Sequence, residues 1–349
     1  MKTRLSLRAT CTAVLFIATA SQALAADGFK LRFPLSGTLG GEIVAPIPSE
    51  GWIGSIALTD VNVTGVNGND GNSLKLSNPV PGTPIVGTAD VAISNHQKLA
   101  SLVLVRLLNK DVQGGKLAIA VNIPYLAQFD ADLTFTGATP AALNNSPPFP
   151  PSAPAAYQAK LADLSKTSDA STSGLGDVEA SLLWENSFDN VKVVLGATLA
   201  MPTGDYKYVP NSFKPNIGFG NYYTLRTGAG VAYKATDSIT LGARGSLGFN
   251  SQNTDNYVRS GDFYAVDLAA AFITPVGVIG PHVTMLRQYT DDSGGSLGAN
   301  RASTTGAGFF YAVPIEALGG GLNVSYMKTT ETKNALTGDF FQLRFSKRF

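Results

Sequence analysis

The sequence predicts an all-β protein, a transmembrane antiparallel up-and-down β-barrel of about twelve strands that follows a cleaved signal peptide. Three observations predict it. Runs of roughly 11 to 14 residues alternate apolar side chains with small or polar ones. The connections between runs alternate short and long along the chain. Aromatic residues bracket several runs at the separation of two membrane interfaces.

At the start, residues 1–25 read as a secretory signal. Lys2, Arg4 and Arg8 charge the front, Ala13 to Ala20 is a short apolar run, and Ala23-Leu24-Ala25 supplies an A-x-A cleavage site. Segment 26–50 holds Pro34, Gly37, Gly40, Gly41 and Pro46, and is expected to be either a periplasmic tether or a plug in the lumen. The barrel is expected over 51–349, with runs near 51–63, 98–108, 115–127, 174–185, 190–203, 222–234, 238–250, 262–274, 277–290, 301–314, 320–330 and 339–349. The clearest is ITLGARGSLGF at 239–249: Ile239, Leu241, Ala243, Leu247 and Phe249 share one face, and Thr240, Gly242, Arg244, Ser246 and Gly248 the other. The first run is poorly patterned around Asp60, and the ninth sets Arg287 on its apolar face, which predicts a bulge there or an earlier end to the strand.

Between runs the sequence offers tight links such as NSFD, KATDS and PVG, and longer loops at 64–97, 126–173 and 204–221, then around 251–261, 291–300 and 331–338. An outer-membrane barrel has short periplasmic turns and longer extracellular loops. A soluble sandwich has no reason to keep that order through twelve strands. Tyr223 and Tyr233 bracket one run. At ~3.4 Å per residue and a tilt of ~40° they stand about 26 Å apart along the membrane normal, close to the height of an apolar belt. Tyr264 with Phe272 and Phe341 with Phe349 repeat the arrangement. The last strand therefore ends outward on Phe349.

Composition removes other classes. Cys11, in the signal, is the single cysteine, so disulfides and thiolate chemistry are excluded from the mature chain. Removing the three signal cations from 26 Lys+Arg leaves 23 against 25 Asp+Glu, a net charge near −2. No block of basic residues marks a nucleic-acid surface. No later segment approaches the ~18 apolar residues of a membrane-spanning helix.

GLGDVEASLLW at 174–184, MPTGDY at 201–206, NYYTLRTGAGVAYKATDSITLGARGSLGFN at 221–250 and RQYTDDSG at 287–294 resemble the bacterial "meta-pathway of phenol degradation" family. The likeness runs over roughly 115–349, and the proline-rich stretch at 139–156 looks like an insertion of this member. The resemblance implies a barrel in the bacterial outer membrane, linked with catabolism of aromatic or other hydrophobic compounds. It carries no catalytic residues across.

The faces expected to look inward hold Arg106, Asn122, Glu179, Lys192, Arg226, Arg244, Asp267, His282, Asn323, Gln342 and Arg344. Of these, Arg106, Glu179, Lys192, Arg226, Arg244, Asp267, His282 and Arg344 are the candidates for lining a pore, where charges meet water or one another. Cations outnumber carboxylates among them, a pattern that points weakly to anionic or polarizable solutes. Catalysis is poorly supplied. Only His96 and His282 exist, His96 at the edge of a loop, and no serine stands out beside His282 as a nucleophile. Two histidines without cysteine make no transition-metal site, and SGTLGGE at 36–42 lacks the Lys-Ser/Thr of a phosphate loop. No cofactor is expected.

The sequence thus points to a passive channel for small hydrophobic or aromatic compounds. Twelve strands enclose a narrower lumen than sixteen-stranded porins. The alternatives are a non-conducting structural or adhesive barrel and, less favoured, an outer-membrane hydrolase. Expected partners are membrane lipid and lipopolysaccharide, the solutes, and the outer-membrane assembly machinery, engaged through the strand ending at Phe349.

Overall fold

The computed structural model describes residues 39–45, 50–80, 83–144, 149–168, 170–207, 216–294 and 301–349. The signal peptide, residues 26–38 and Pro147-Pro148 lie outside them. Fourteen strands form one sheet: β1 Gly51–Asn67, β2 Lys75–Pro79, β3 Val86–Val112, β4 Gly115–Thr136, β5 Ala170–Leu175, β6 Glu179–Phe188, β7 Val191–Ala200, β8 Thr224–Lys234, β9 Ile239–Asn250, β10 Phe263–Thr274, β11 Gly277–Gln288, β12 Ser303–Ile315, β13 Gly320–Lys333 and β14 Ala335–Arg348. Twelve of them close a ring in which each pairs antiparallel with its neighbours. The ring shuts where β1 pairs with β14, from Ile53 opposite Arg348 to Asn67 opposite Ala335. β2 and β5 are short additions to the far ends of β3 and β4. Closure gives every ring strand two partners, the condition hydrocarbon imposes on backbone N–H and C=O groups.

The side chains separate as the alternation predicts. Leu195, Leu199, Leu225, Val231, Leu241, Leu247, Leu268, Phe272 and Phe341 are exposed on the outside. Thr240, Asp267, Gln342 and Arg344 are buried within. Tyr223 and Tyr233, about half exposed at 51% and 48%, stand at opposite ends of β8. Such a surface is an apolar belt with aromatic edges, the profile of a strand barrel set in a bilayer.

Turns explain the two ends. The β3–β4 link is only Gln113-Gly114, with φ of 51° and 79°, a pair of positive values that suits the twist of a two-residue hairpin. Pro275-Val276 joins β10 to β11. These turns share one end with both Gly51 and Phe349, whose strands are tied there by Phe349 N donating to Trp52 O at 2.9 Å.

Several boundaries differ from expectation. Loop 64–97 contains β2 and the first twelve residues of β3, and loop 126–173 contains the end of β4, the helix α1 (Ala153–Ser168) and the start of β5. These strands continue past the barrel because their inward face stays apolar: Ala89, Val91 and Ile93 on β3 meet Phe135 and Leu133 on β4. A bulge at Ala127-Gln128 lets Phe129, Ala131, Leu133 and Phe135 keep the face that Asn122, Pro124 and Leu126 hold below. The expected loop at 331–338 is a single residue, Asn334, at φ 46° between long strands. Arg287 needs no bulge, since β11 stays in register with β10 and β12 beside it. Its guanidinium instead donates to the carbonyls of Leu286 and Thr304, each at 2.8 Å. Asp60 is outward near the loop end, where its carboxylate meets His96 Nε2 at 2.9 Å, and His96 lies within β3 rather than in a loop.

Candidate functional site in the barrel lumen

Seven of the eight candidate residues face the lumen, and one does not. Arg106 is exposed on the outside of β3 with Leu102 and Leu104, its guanidinium 5.3 Å from the ring centre of Trp52. The inner face there is Ser101, Val103, Val105 and Leu107. Both faces of this stretch are apolar, so alternation alone leaves the direction open, and Arg106 belongs to the interfacial rim rather than the pore. With Ile53, Ala118, Ala120 and Leu183, the inward Val103, Val105 and Leu107 form an apolar patch on one side of the lumen.

The inward charges occur in pairs. Glu179 and Arg226, both buried, approach to 2.6 Å, and Asn122 donates to the other Glu179 oxygen at 3.5 Å. Arg244 on β9 sits opposite Asp267 on β10 and makes a buried ion pair with it. The register places Arg226 and Arg244 on adjacent strands with Gly228 and Gly230 between them in sequence. A cation in low dielectric is tolerated when a carboxylate compensates it. This pairing removes the cation excess that pointed to anionic solutes.

A third pair involves a residue the alternation pattern did not reveal, Glu42. Residues 39–45 lie inside the barrel, with Leu39, Ile43 and Ala45 buried and a short 3-10 turn at Gly41–Val44. Arg344 Nη2 meets Glu42 Oε2 at 3.2 Å, and Lys192 Nζ donates to the carbonyls of Glu42 and Ala45 at 2.6 and 3.0 Å. His282, 1% exposed, turns Nδ1 to Leu39 O at 3.2 Å and Nε2 to Tyr326 O at 3.1 Å. Its ring therefore anchors a segment, with both nitrogens occupied by carbonyls. Leu39 and Ile43 pack on Ala232, Ala269, Ala271, Val278, Phe310 and Ala312. Gly41 is required by this fit, because a Cβ there would overlap the Ala312 methyl. Sequence signals for the plug existed in Gly40 and Gly41, but nothing in them announced a partner.

The wall here encloses only a small cavity of about 60 Å³, lined on its inward side by Leu183, Val194, Thr198, Arg226, Arg244 and Ser246, with Gly196, Gly228 and Gly230 supplying bare backbone. It meets the apolar patch at Leu183 and the paired arginines on its other side. Arg226 Nη1 is buried and has no hydrogen-bond partner among the described residues. Among the described residues no group of three His, Cys, Asp or Glu is placed to hold a metal.

Over the loop end, the inward faces of β1, β3 and β4 form one core with α1 and with Ile217, Phe219 and Tyr222. Tyr157 of α1 is fully buried, donates to Thr88 O at 3.2 Å, and fills space that Gly87 leaves open. Asp177 ties two sequence phrases together: its carboxylate accepts Gly204 N–H at 2.8 Å and Phe219 N–H at 3.0 Å, so GLGD and MPTGDY form one latch. In RQYTDDSG, Asp292 Oδ1 accepts from Gly261 N at 2.8 Å and Gln288 Nε2 at 2.5 Å. Burial pushes the Asp292 carboxyl up, against the pull of those two bonds, and the neighbouring Asp291 charge adds to the rise.

A family model described as "Putative MetA-pathway of phenol degradation" matches residues 86–345. An outer membrane channel of Pseudomonas putida F1 shares the architecture at 14% identity and TM-score 0.62, over 87% of this chain and 97% of that one. At this identity the likeness establishes the barrel fold alone. The β domain of the Bordetella autotransporter BrkA, at 13% identity and TM-score 0.42, covers 85% of this chain and 99% of its own. The monoaromatic hydrocarbon channel CymD, at 10% identity and TM-score 0.39, covers 86% of this chain and 89% of its own. No curated protein sequence matches the chain.

Proposed function

The chain belongs to the MetA-pathway of phenol degradation family, which matches most of its length, and on that premise we propose that it is an outer-membrane channel for passive uptake of small hydrophobic or aromatic compounds. The observation that carries this reading is the chemistry of the lumen wall, apolar at Leu183 and Val194 and polar at Arg226, Arg244 and Ser246. An aromatic solute with one oxygen suits such walls, since its ring needs apolar contact and its oxygen a donor. The phenol-degradation name of the family and the hydrocarbon-channel name of one structural neighbour agree with that class. No energy source is invoked; loops collect the solute and the lumen conducts it.

Uptake of labelled phenol, toluene, alkane and fatty acid by a deletion strain and its complemented parent tests the proposal. Faster entry of the aromatic compounds in the complemented strain supports it, and equal entry of every compound in both strains refutes it. One observation favours a sealed barrel instead: residues 39–45 are held in the lumen by Lys192, His282 and Arg344 beneath an apolar cap. Absence of solute-dependent conductance in planar bilayers, for the intact chain and for one lacking residues 26–45, would select that reading.

A further inference from the structure

At the turn-end rim outside the barrel, Arg106 and Lys347 are two cations that form no ion pair among the described residues. Arg106 stands opposite Trp52 in the β1–β3 ladder and covers its ring at 5.3 Å. On the other side of β1, Lys347 lies 5.7 Å from the ring of Phe349. Trp52 and Phe349 are joined through their backbones, and the Phe349 ring lies against Gly54, where a Cβ would come within 3.2 Å of Cε2. Gly54 is in turn opposite both Lys347 and Leu104. Four side chains thus make one outward cluster over three adjacent strands, with backbone anchors spread over roughly 10 Å. Neither Arg106 nor Lys347 forms an ion pair among the described residues, while Asp111, the carboxylate of the neighbouring hairpin, is taken by Lys116 at 2.6 Å.

An uncompensated cation beside hydrocarbon is costly unless it meets an anion at the interface. We propose that Arg106, Trp52, Phe349 and Lys347 form a binding site for the phosphate of an anionic phospholipid in the periplasmic leaflet. Arg106 offers a planar fork to two phosphate oxygens and Lys347 a second point of charge. The aromatic rings hold both cations at headgroup depth, the level favoured by Trp. Directly above, Ile56, Leu58, Leu102 and Leu104 are exposed and give the acyl chains an apolar track. Short turns mark the periplasmic end, which assigns the site to phospholipid rather than to lipopolysaccharide. The proposal does not depend on conduction.

Native mass spectrometry of the mature protein in detergent tests it, with dioleoylphosphatidylglycerol, dioleoylphosphatidylcholine and inorganic phosphate added separately. The wild type should retain the anionic lipid and lose the zwitterionic one at equal concentration. Arg106→Ala/Lys347→Ala should bind phosphatidylglycerol about 20- to 30-fold more weakly, the loss expected for two interfacial cations. Heat-modifiable gel migration verifies that this variant is folded, and Arg106→Lys, which keeps the charge, should retain most of the binding. Equal retention of both lipids, an unweakened double variant, or inorganic phosphate binding as tightly as the lipid would each overturn the proposal.

Discussion

Two carboxylates show how residue identity and surroundings combine. Glu179 was legible as an inward residue from strand alternation, but its partner was not, because Arg226 is 47 positions later and two strands away. Arg106 was illegible for a different reason: Leu102 and Leu104 outside and Val103 and Val105 inside make both faces alike. Removing one member of a buried pair strands the other. Glu179→Gln should therefore cost about 3 kcal/mol, and Glu179→Gln/Arg226→Met should recover most of it, as read by guanidinium unfolding from lipid vesicles through Trp fluorescence. A double variant no more stable than the single one would show that the pair is not the source. Asp292 gives the pH signature. Its carboxyl titrates higher folded than unfolded, so the ionised form is penalised in the fold. The stabilising share is complete below the unfolded pKa of about 3.9 and is lost as pH rises through the folded value. Amide-exchange protection of Gly261, corrected for intrinsic rate, should fall as pH rises above about 4. Asp292→Asn keeps the accepting oxygen and should abolish that fall.

At the level of elements, β6 to β14 were readable because lipid outside and water or paired ions inside impose a period of two on each strand. The upper halves of β3 and β4 were not. There the outer face turns polar and the inner face apolar, with Thr88, Asp90 and Ser94 exposed and Ala89, Val91 and Ile93 buried, which is the soluble arrangement above a membrane one. The Ala127-Gln128 bulge marks the change of parity in β4. Deleting Ala127 should turn Phe129, Ala131, Leu133 and Phe135 to the wrong side. The barrel should still form while α1 loses its seat, seen as protease cleavage within 153–168 of a heat-modifiable protein. Resistance equal to the wild type would show that α1 docks without that face. The lumenal segment is the other separable element. Lys192 and Arg344 supply its charged contacts, beside His282 and the apolar packing, so Lys192→Ala/Arg344→Ala should raise single-channel conductance by a factor of roughly two or more, a larger open cross-section admitting more ions. Unchanged conductance in planar bilayers would mean that the segment does not limit passage.

For the whole molecule, closure and occupancy are different requirements with different costs. The β1–β14 seam joins the two ends of the ring through backbone pairs from Ile53–Arg348 to Asn67–Ala335, reinforced inside by Ser55 to Ser346 at 2.8 Å and Gln342 to Thr59 at 2.9 Å. Each N–H or C=O left open in hydrocarbon costs several kcal/mol, so a missing strand cannot be offset by packing elsewhere. Among the described residues the plug contributes one ion pair, a few hydrogen bonds and apolar contacts to a wall that is complete without it. Deleting residues 339–349 should therefore abolish folding into vesicles, with no heat-modifiable species. Deleting 26–45 should leave the barrel folded and heat-modifiable, with somewhat lower resistance to guanidinium. The contrast separates a membrane barrel from a β-protein organised around its interior. In the latter, losing buried Leu39, Ile43 and Ala45 should harm folding more than losing an edge strand, and that reversed order would overturn the assignment of its apolar face to lipid.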